Sequence, residues 1–335
     1  MIRATLFITE DHEDIESITS DINQVQAEFP HILNIIYIDR DPSLLKEFTD
    51  QQPVLDIGVY RLLKSFGVDE IKFAFKKAYE RLEEAQSKGN DALVNRMTEP
   101  VKMTGSDKFS RWFSKHYMVI MNSFTFLYVF FAVFAPILMK VNWQTPAKVI
   151  YRVYSPLCHQ LAYRSFFLFG EQGYYPRELA GLDGALTYSQ ASGLSEYDIS
   201  TARDFIGNEF MGYKMALCQR DIAIYSAIFL FGLIFVISRN KIKPLPWYLW
   251  LLLGIVPIGF DGFSQLLSQT GLDIFNWISL RESTPLLRLI TGSFFGLATA
   301  WFGFPYLEES VLENRRDMQI KHAIVQQLSA KTDLK

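Results

Sequence analysis

Only two cysteines occur in 335 residues, and each sits beside groups that bind metals or move protons: Leu157-Cys158-His159-Gln160 and Leu217-Cys218-Gln219-Arg220-Asp221. A thiol next to an imidazole, and a second thiol three residues before a carboxylate, supply the ligand types that zinc takes. Cys158, His159, Cys218 and Asp221 are therefore candidate metal ligands, with zinc the candidate ion. Adjacent Cys and His side chains converge on one ion only where the backbone turns sharply, a turn that Pro156 assists. Two further readings of the thiols stand beside the metal. One is a disulfide, favoured on an oxidising side of a membrane and stabilising by at least on the order of 3 kcal/mol in the chain-entropy picture. The other is two small buried residues that simply pack.

Asp261 is the third point of chemical interest. It lies in Gly259-Phe260-Asp261-Gly262, inside a long apolar segment, with Gln265 one helical turn later on the same face. An ionisable group at that depth faces a bundle interior or a water-filled cavity and needs an opposite charge. Arg164, Arg220, Arg281 and Arg288 all fall on the side of the membrane expected for it. Asp261 is the candidate catalytic or transport carboxylate, the alternative being an Asp–Arg pair that fixes helix packing. The four arginines and Gln265 are candidate structural or anion-binding groups.

The elements that position these residues divide in two. The chain is 49% hydrophobic and 15% aromatic, with 28 Phe, yet its charged fraction of 21% matches a soluble protein. The averages hide a split: residues up to about 115 are rich in Asp, Glu and Lys, whereas most of the later apolar content sits in a few long runs. That is the pattern of a soluble domain joined to a membrane domain. The net charge of -3 and the lack of a basic stripe interleaved with aromatics argue against nucleic acid. No phosphate-binding loop, H-E-x-x-H or G-x-S-x-G motif is present.

In the first part, Ala4–Thr9 reads as a strand and the acidic stretch after it, with Ile15, Ile18, Ile22 and Val25, as an amphipathic helix. Ile32–Ile38 is a second strand, and Pro42–Phe48 a short helix capped by Asp41. Val54–Ile57 and Tyr60–Phe66 are strands about Gly58, and Val68–Leu82 closes the domain as a helix. This order, with Arg40-Asp41-Pro42-Ser43-Leu44-Leu45-Lys46 and Gln52-Pro53-Val54-Leu55, resembles the glutaredoxin-like branch of the thioredoxin fold. The resemblance implies a small α/β domain over residues 1–85 with a cis-proline at Pro53. Where that fold carries Cys-x-x-Cys, this chain has Glu10-Asp11-His12-Glu13-Asp14, which excludes dithiol chemistry. The expected role is to dock a cytoplasmic protein partner. Residues 86–115 read as a linker and an interfacial helix, because Lys108-Phe109-Ser110-Arg111-Trp112-Phe113-Ser114-Lys115 mixes cations with aromatics.

Four later segments approach the roughly 20 residues that cross a bilayer: Tyr117–Met139, Ile222–Ser238, Trp247–Leu267 and Leu286–Tyr306. The expected fold is thus a polytopic α-helical membrane domain of four transmembrane helices, residues 116–310, preceded by the thioredoxin-like domain. Basic groups flank the first span at Lys108, Arg111 and Lys115, fill the second connection at Arg239, Lys241 and Lys243, and follow the fourth span at Arg315, Arg316 and Lys321. Since cations stay inside, both ends are expected in the cytoplasm of a multi-pass cell-membrane protein, with residues 311–335 a cytoplasmic tail. The first residues run into Glu10-Asp11-His12 without the apolar core of a secretory signal, which agrees. Residues 140–220 then form a long extracytoplasmic loop.

The second part resembles a family of bacterial and archaeal membrane proteins known as domain-of-unknown-function family 2085. The likeness rests on Cys158-His159-Gln160 with Arg164-Ser165-Phe166, Cys218-Gln219-Arg220-Asp221 with Ile224-Tyr225, Asp261-Gly262 with Ser264-Gln265, and Leu280-Arg281-Glu282-Ser283-Thr284 with Arg288 and Thr291-Gly292. Members commonly carry a cysteine where this chain has Asp221. The expected functions are a metal- or anion-binding site at the outer membrane boundary, as in a membrane-embedded hydrolase, or a non-catalytic scaffold or sensor.

Overall fold

The computed structural model describes residues 1–270 and 279–332, and the chain divides into two compact units, Met1–Lys115 with Val311–Lys335, and His116–Ser310.

The first unit is built on a four-stranded sheet of β1 (Ile2–Ile8), β2 (His31–Tyr37), β3 (Val54–Ile57) and β4 (Tyr60–Leu63), in the order β2-β1-β3-β4. The pair β1–β2 is parallel and the other two pairs are antiparallel. Ile2, Ala4, Leu6 and Ile8 alternate onto one face of β1, the period-2 pattern of a half-buried strand. Against that face pack α1 (Ile15–Gln24), through Ile18 and Ile22, and α3 (Val68–Ser87), through Ile71, Ala74, Phe75, Ala78 and Leu82. Between β2 and β3, α2 (Pro42–Phe48) starts at Asp41, whose carboxylate accepts the Ser43 N–H at 2.8 Å. The Gln52–Pro53 peptide is cis.

Two expected boundaries move. The stretch expected as a linker carries α4 (Asp91–Thr98), capped by Asn90, and its Met97 is fully buried in the core with Leu93 and Val94 beside it. Arg3 Nε also donates to Thr98 O at 3.0 Å. The expected tail is the end of α12 (Pro285–Thr332). Its Ile320, Ala323, Ile324 and Leu328 recur at helical spacing and pack on Phe7, Ile36, Ile38, Leu44, Phe48 and Val54, the second face of the sheet. Gln327 exchanges both of its amide hydrogen bonds with the Tyr37 peptide at 2.9 and 2.8 Å, satisfying edge strand β2 there. Lys321 donates to Asp107 at 2.6 Å.

The second unit contains apolar helices. Among the described residues four are long and apolar enough to cross a membrane: α5 (Gly105–Lys140), α9 (Gln219–Ile237), the segment Trp247–Ser268, and the first part of α12. Their outward faces carry Phe124, Ile237 and Phe260 well exposed, surfaces suited to lipid. The third segment is α10 (Trp247–Trp250), a π-helical turn at Leu251–Ile255, and α11 (Val256–Ser268). The irregular turn sits directly before Pro257, whose missing N–H interrupts the helical ladder. At Gly292 and Gly296 the backbone of α12 lies so close to α9 that a Cβ would fall 2.8 Å from Arg220 O and 2.2 Å from Ile224 O.

Residues 140–220 are ordered by a small layer of their own. It comprises α6 (Gln144–Tyr154), β5 (Ser165–Leu168), α7 (Tyr188–Ser192), α8 (Ile199–Asp204), β6 (Gly207–Asn208) and β7 (Gly212–Cys218), with a sheet in the order β5-β7-β6. Tyr163, Phe167, Tyr175 and Tyr188 form its aromatic core.

Candidate functional site

Strand β7 passes straight into α9, so Cys218 sits at the N-cap of a 19-residue apolar helix and Asp221 in its first turn. Cys158 arrives on the loop after α6. The Sγ atoms of Cys158 and Cys218 and a carboxylate oxygen of Asp221 all lie within 4.8 Å of one another. The Cys218 N–H also donates to Cys158 Sγ at 3.3 Å. The hydrogen bond shared by the thiols drives their acidities apart: with burial, it pushes Cys158 up, and it pulls Cys218 down against the cost of desolvation.

His159 is not in this cluster. Its neighbour Cys158 is buried, whereas His159 is exposed, because consecutive side chains on an extended turn diverge. The imidazole instead lines the same cavity, a space of about 270 Å³ bordered also by Cys158, Cys218, Asp221, Arg164, Arg220, Gln265 and Arg288.

The turn bearing Cys158 and His159 is held by Gln160 of the same motif and by Lys214, which sequence reasoning passed over. Gln160 adopts φ 52°, in the left-handed region. Its side-chain amide donates to Tyr151 O at 3.0 Å and Ala216 O at 2.9 Å. Lys214, fully buried on β7, donates from Nζ to Gln160 O at 2.7 Å and to Arg203 O at 2.5 Å. Burial of the ammonium pulls Lys214 down to about 7, with Asp204 opposing. An unfolded lysine titrates near 10.4, so between those values the folded state binds fewer protons and stability rises with pH, by at most about 1.4 kcal/mol per unit. The melting temperature of detergent-solubilised protein is expected to climb from pH 7 to 9, and Lys214→Met to flatten the climb. A wild-type melt that is level across that window would contradict the assignment.

Asp261, expected as a catalytic carboxylate, is 2% exposed and fully engaged. Arg220 Nη2 and the Ser283 hydroxyl (2.7 Å) donate to Oδ2, and Arg281 Nη2 donates to Oδ1 at 2.7 Å. Arg281 Nη1 reaches Ser264 Oγ at 2.8 Å, and Gln265 Oε1 accepts the Ser283 N–H at 3.4 Å. This geometry makes Asp261 a carboxylate that holds two guanidiniums in place. A second hub was missed. Glu282 accepts Arg164 Nε at 2.9 Å and Nη2 at 3.2 Å, Arg288 Nη2, and Arg177 Nη1 at 3.4 Å. Burial raises its carboxyl, but Arg164 and Arg288 outweigh burial and hold it below the ordinary glutamate value. Its sequence signal was the acidic residue in Arg281-Glu282-Ser283 just before a span; Arg177, in a polar insertion, gave none.

A chain with four such helices is a membrane protein, and the helices put it in contact with the lipid bilayer. Residues 205–302 match a family described as a predicted membrane protein (DUF2085), a stretch that includes Cys218, Asp221, Asp261 and Glu282 but not Cys158. The chain is also 27% identical over 205 residues to the uncharacterized protein MJ1492 of Methanocaldococcus jannaschii, covering 59% of this chain and 96% of that one. No solved structure matches.

Proposed function

We propose that Cys158, Cys218 and Asp221 hold a divalent transition-metal ion, zinc by ligand chemistry, in a membrane-embedded hydrolase acting at the outer membrane boundary. The supporting observation is the convergence of two sulfurs and a carboxylate oxygen within 4.8 Å, against an arginine-lined cavity. Ligands at about 2.0–2.3 Å from a tetrahedral ion stand roughly 3.3–3.8 Å apart, so small side-chain rotations close the set. Three protein ligands are the number that catalytic zinc sites use, and a bound ion would supply Lewis-acid polarisation and a more acidic water. His159, at the open side of the cavity, is placed to take a proton from water as its oxygen bonds to the ester centre. The ester bond then breaks, and the leaving oxygen takes that proton. Asp261 is a positioning residue acting through Arg220 and Arg281.

Metal quantification on detergent-purified protein tests this reading. Wild type is expected to carry about one zinc per chain, and Cys218→Ser and Asp221→Asn to lose it, beyond the 10–100-fold that loss of an outer supporting group costs. The proximity of the sulfurs favours one rival, a disulfide closing the loop between them. Metal-free wild type whose mass changes on reduction would replace the first reading with that one.

The soluble unit is read as a thioredoxin-like domain without a dithiol, on the strength of its strand order and of Glu10–Asp14 in place of the cysteines. The helical face bearing α2 is covered by the chain's own residues 320–328, so any partner protein would dock elsewhere on residues 1–85. The three basic clusters support cytoplasmic ends and an outward-facing cavity.

A further inference from the structure

We propose that the cavity beside Cys218 binds the phosphate group of a phosphate ester, which, resting on the hydrolase reading, names the substrate class. Five guanidiniums (Arg164, Arg177, Arg220, Arg281 and Arg288) share three carboxylates (Glu196, Asp261 and Glu282) in this region. Asp221 is the remaining carboxylate against the cavity, and the metal takes its charge. Surplus positive charge at the edge of hydrocarbon is costly unless an anion meets it.

The unspent hydrogen-bonding capacity lies in the same place. Arg288 lines the cavity at 4% exposure and commits Nη2 to Glu282, while its Nε–H has no acceptor among the described residues. Arg220 repeats the pattern, with Nη2 on Asp261 and a buried Nε–H without an acceptor. Each guanidinium is held in place by its carboxylate while its residue lines the cavity, and a planar fork fits phosphate oxygens. Helix α9 adds the positive end of its dipole, shared with Asp221 in its first turn. A singly charged carboxylate would need one guanidinium. Arg164, Arg220 and Arg288 around one space of about 270 Å³, next to a metal, suit a doubly charged tetrahedral oxyanion.

The test uses full-length protein purified without phosphate. Inorganic phosphate titrated calorimetrically is expected to bind wild type and raise its melting temperature. Arg288→Lys, which keeps the charge and loses the fork, should weaken that binding at least tenfold with zinc content unchanged. Arg164→Gln, at the more exposed edge, provides the second variant should Arg288→Lys fail to fold. Wild type that neither binds phosphate nor melts higher with it overturns the subsite, as does equal affinity in the folded variants. Zinc content is read separately: phosphate binding without zinc overturns the metal reading alone, and zinc without phosphate binding overturns the subsite alone. Nanodiscs of phosphatidylcholine with and without phosphatidic acid separate the sources. Competition by phosphatidic acid against phosphate assigns a lipid phosphate, and no competition assigns a soluble ester.

Discussion

Replacing Glu282 with glutamine is expected to destabilise the membrane unit by on the order of 3–5 kcal/mol, the cost of removing one charge from a buried ion pair. The change is nearly isosteric, so packing is preserved and the loss is electrostatic. Arg164, Arg177 and Arg288 would then face each other around a neutral amide, with Asp261 already engaged by Arg220 and Arg281. Thermal melts in detergent check it. The sign with pH follows from the lowered carboxyl of Glu282. Its stabilisation is complete above the ordinary glutamate value near 4.3 and fades as pH falls through the lower folded value. Wild type should therefore lose its advantage over Glu282→Gln only in acid. A loss below about 1 kcal/mol at neutral pH would mean that the arginines find other acceptors.

Gly296→Val is expected to separate α9 from α12 and, on the proposed metal reading, to abolish zinc binding. A Cβ at position 296 would stand 2.2 Å from Ile224 O, a backbone atom in the middle of a helix, so the helices themselves must part. Overpacking of this kind costs typically 1–3 kcal/mol or more. The effect should reach the site, because Cys218 and Asp221 lie at the start of α9 and Arg288 in the first turn of α12. Gly303 supplies the control: it is in the same helix, a Cβ there meets nothing within 4 Å, and Gly303→Ala should be neutral or slightly stabilising. Equal zinc content in Gly296→Val and Gly303→Ala would show that the close approach does not position the site.

The sequence was legible wherever one physical signal dominated. Twenty-residue apolar runs announced the four long helices, and a carboxylate inside one of them at Asp261 announced its arginines. The proximity of Cys158 and Cys218 followed from each lying beside an apolar segment at the same expected boundary. The reading erred where neighbours in sequence were taken for joint ligands: His159 adjoins Cys158 in the chain and lines the same cavity, yet it is not among the ligand atoms that converge with the two sulfurs. It also erred where polar composition masked a few apolar positions. In α4 only Leu93, Val94 and Met97 mark a packed face, and a short helix among Lys, Asn and Glu reads as linker. Ile320, Ala323, Ile324 and Leu328 carried a readable helical period, but charged residues around them gave the stretch the look of a tail. Lys214 could not have been found, since a buried lysine donating to two carbonyls depends on a loop closure that no local pattern records.

The helix that covers Phe7, Ile36, Leu44, Phe48 and Val54 also sets an order on synthesis. On a ribosome the strands of the first unit emerge before the membrane helices, and residues 320–328 only after them. At about 5–20 residues per second, roughly 200 intervening residues take about 10–40 s. For that interval the nascent domain presents an uncovered apolar face while the helices after it are being inserted. Folding of the first unit therefore finishes last, only once residues 320–328 have been made.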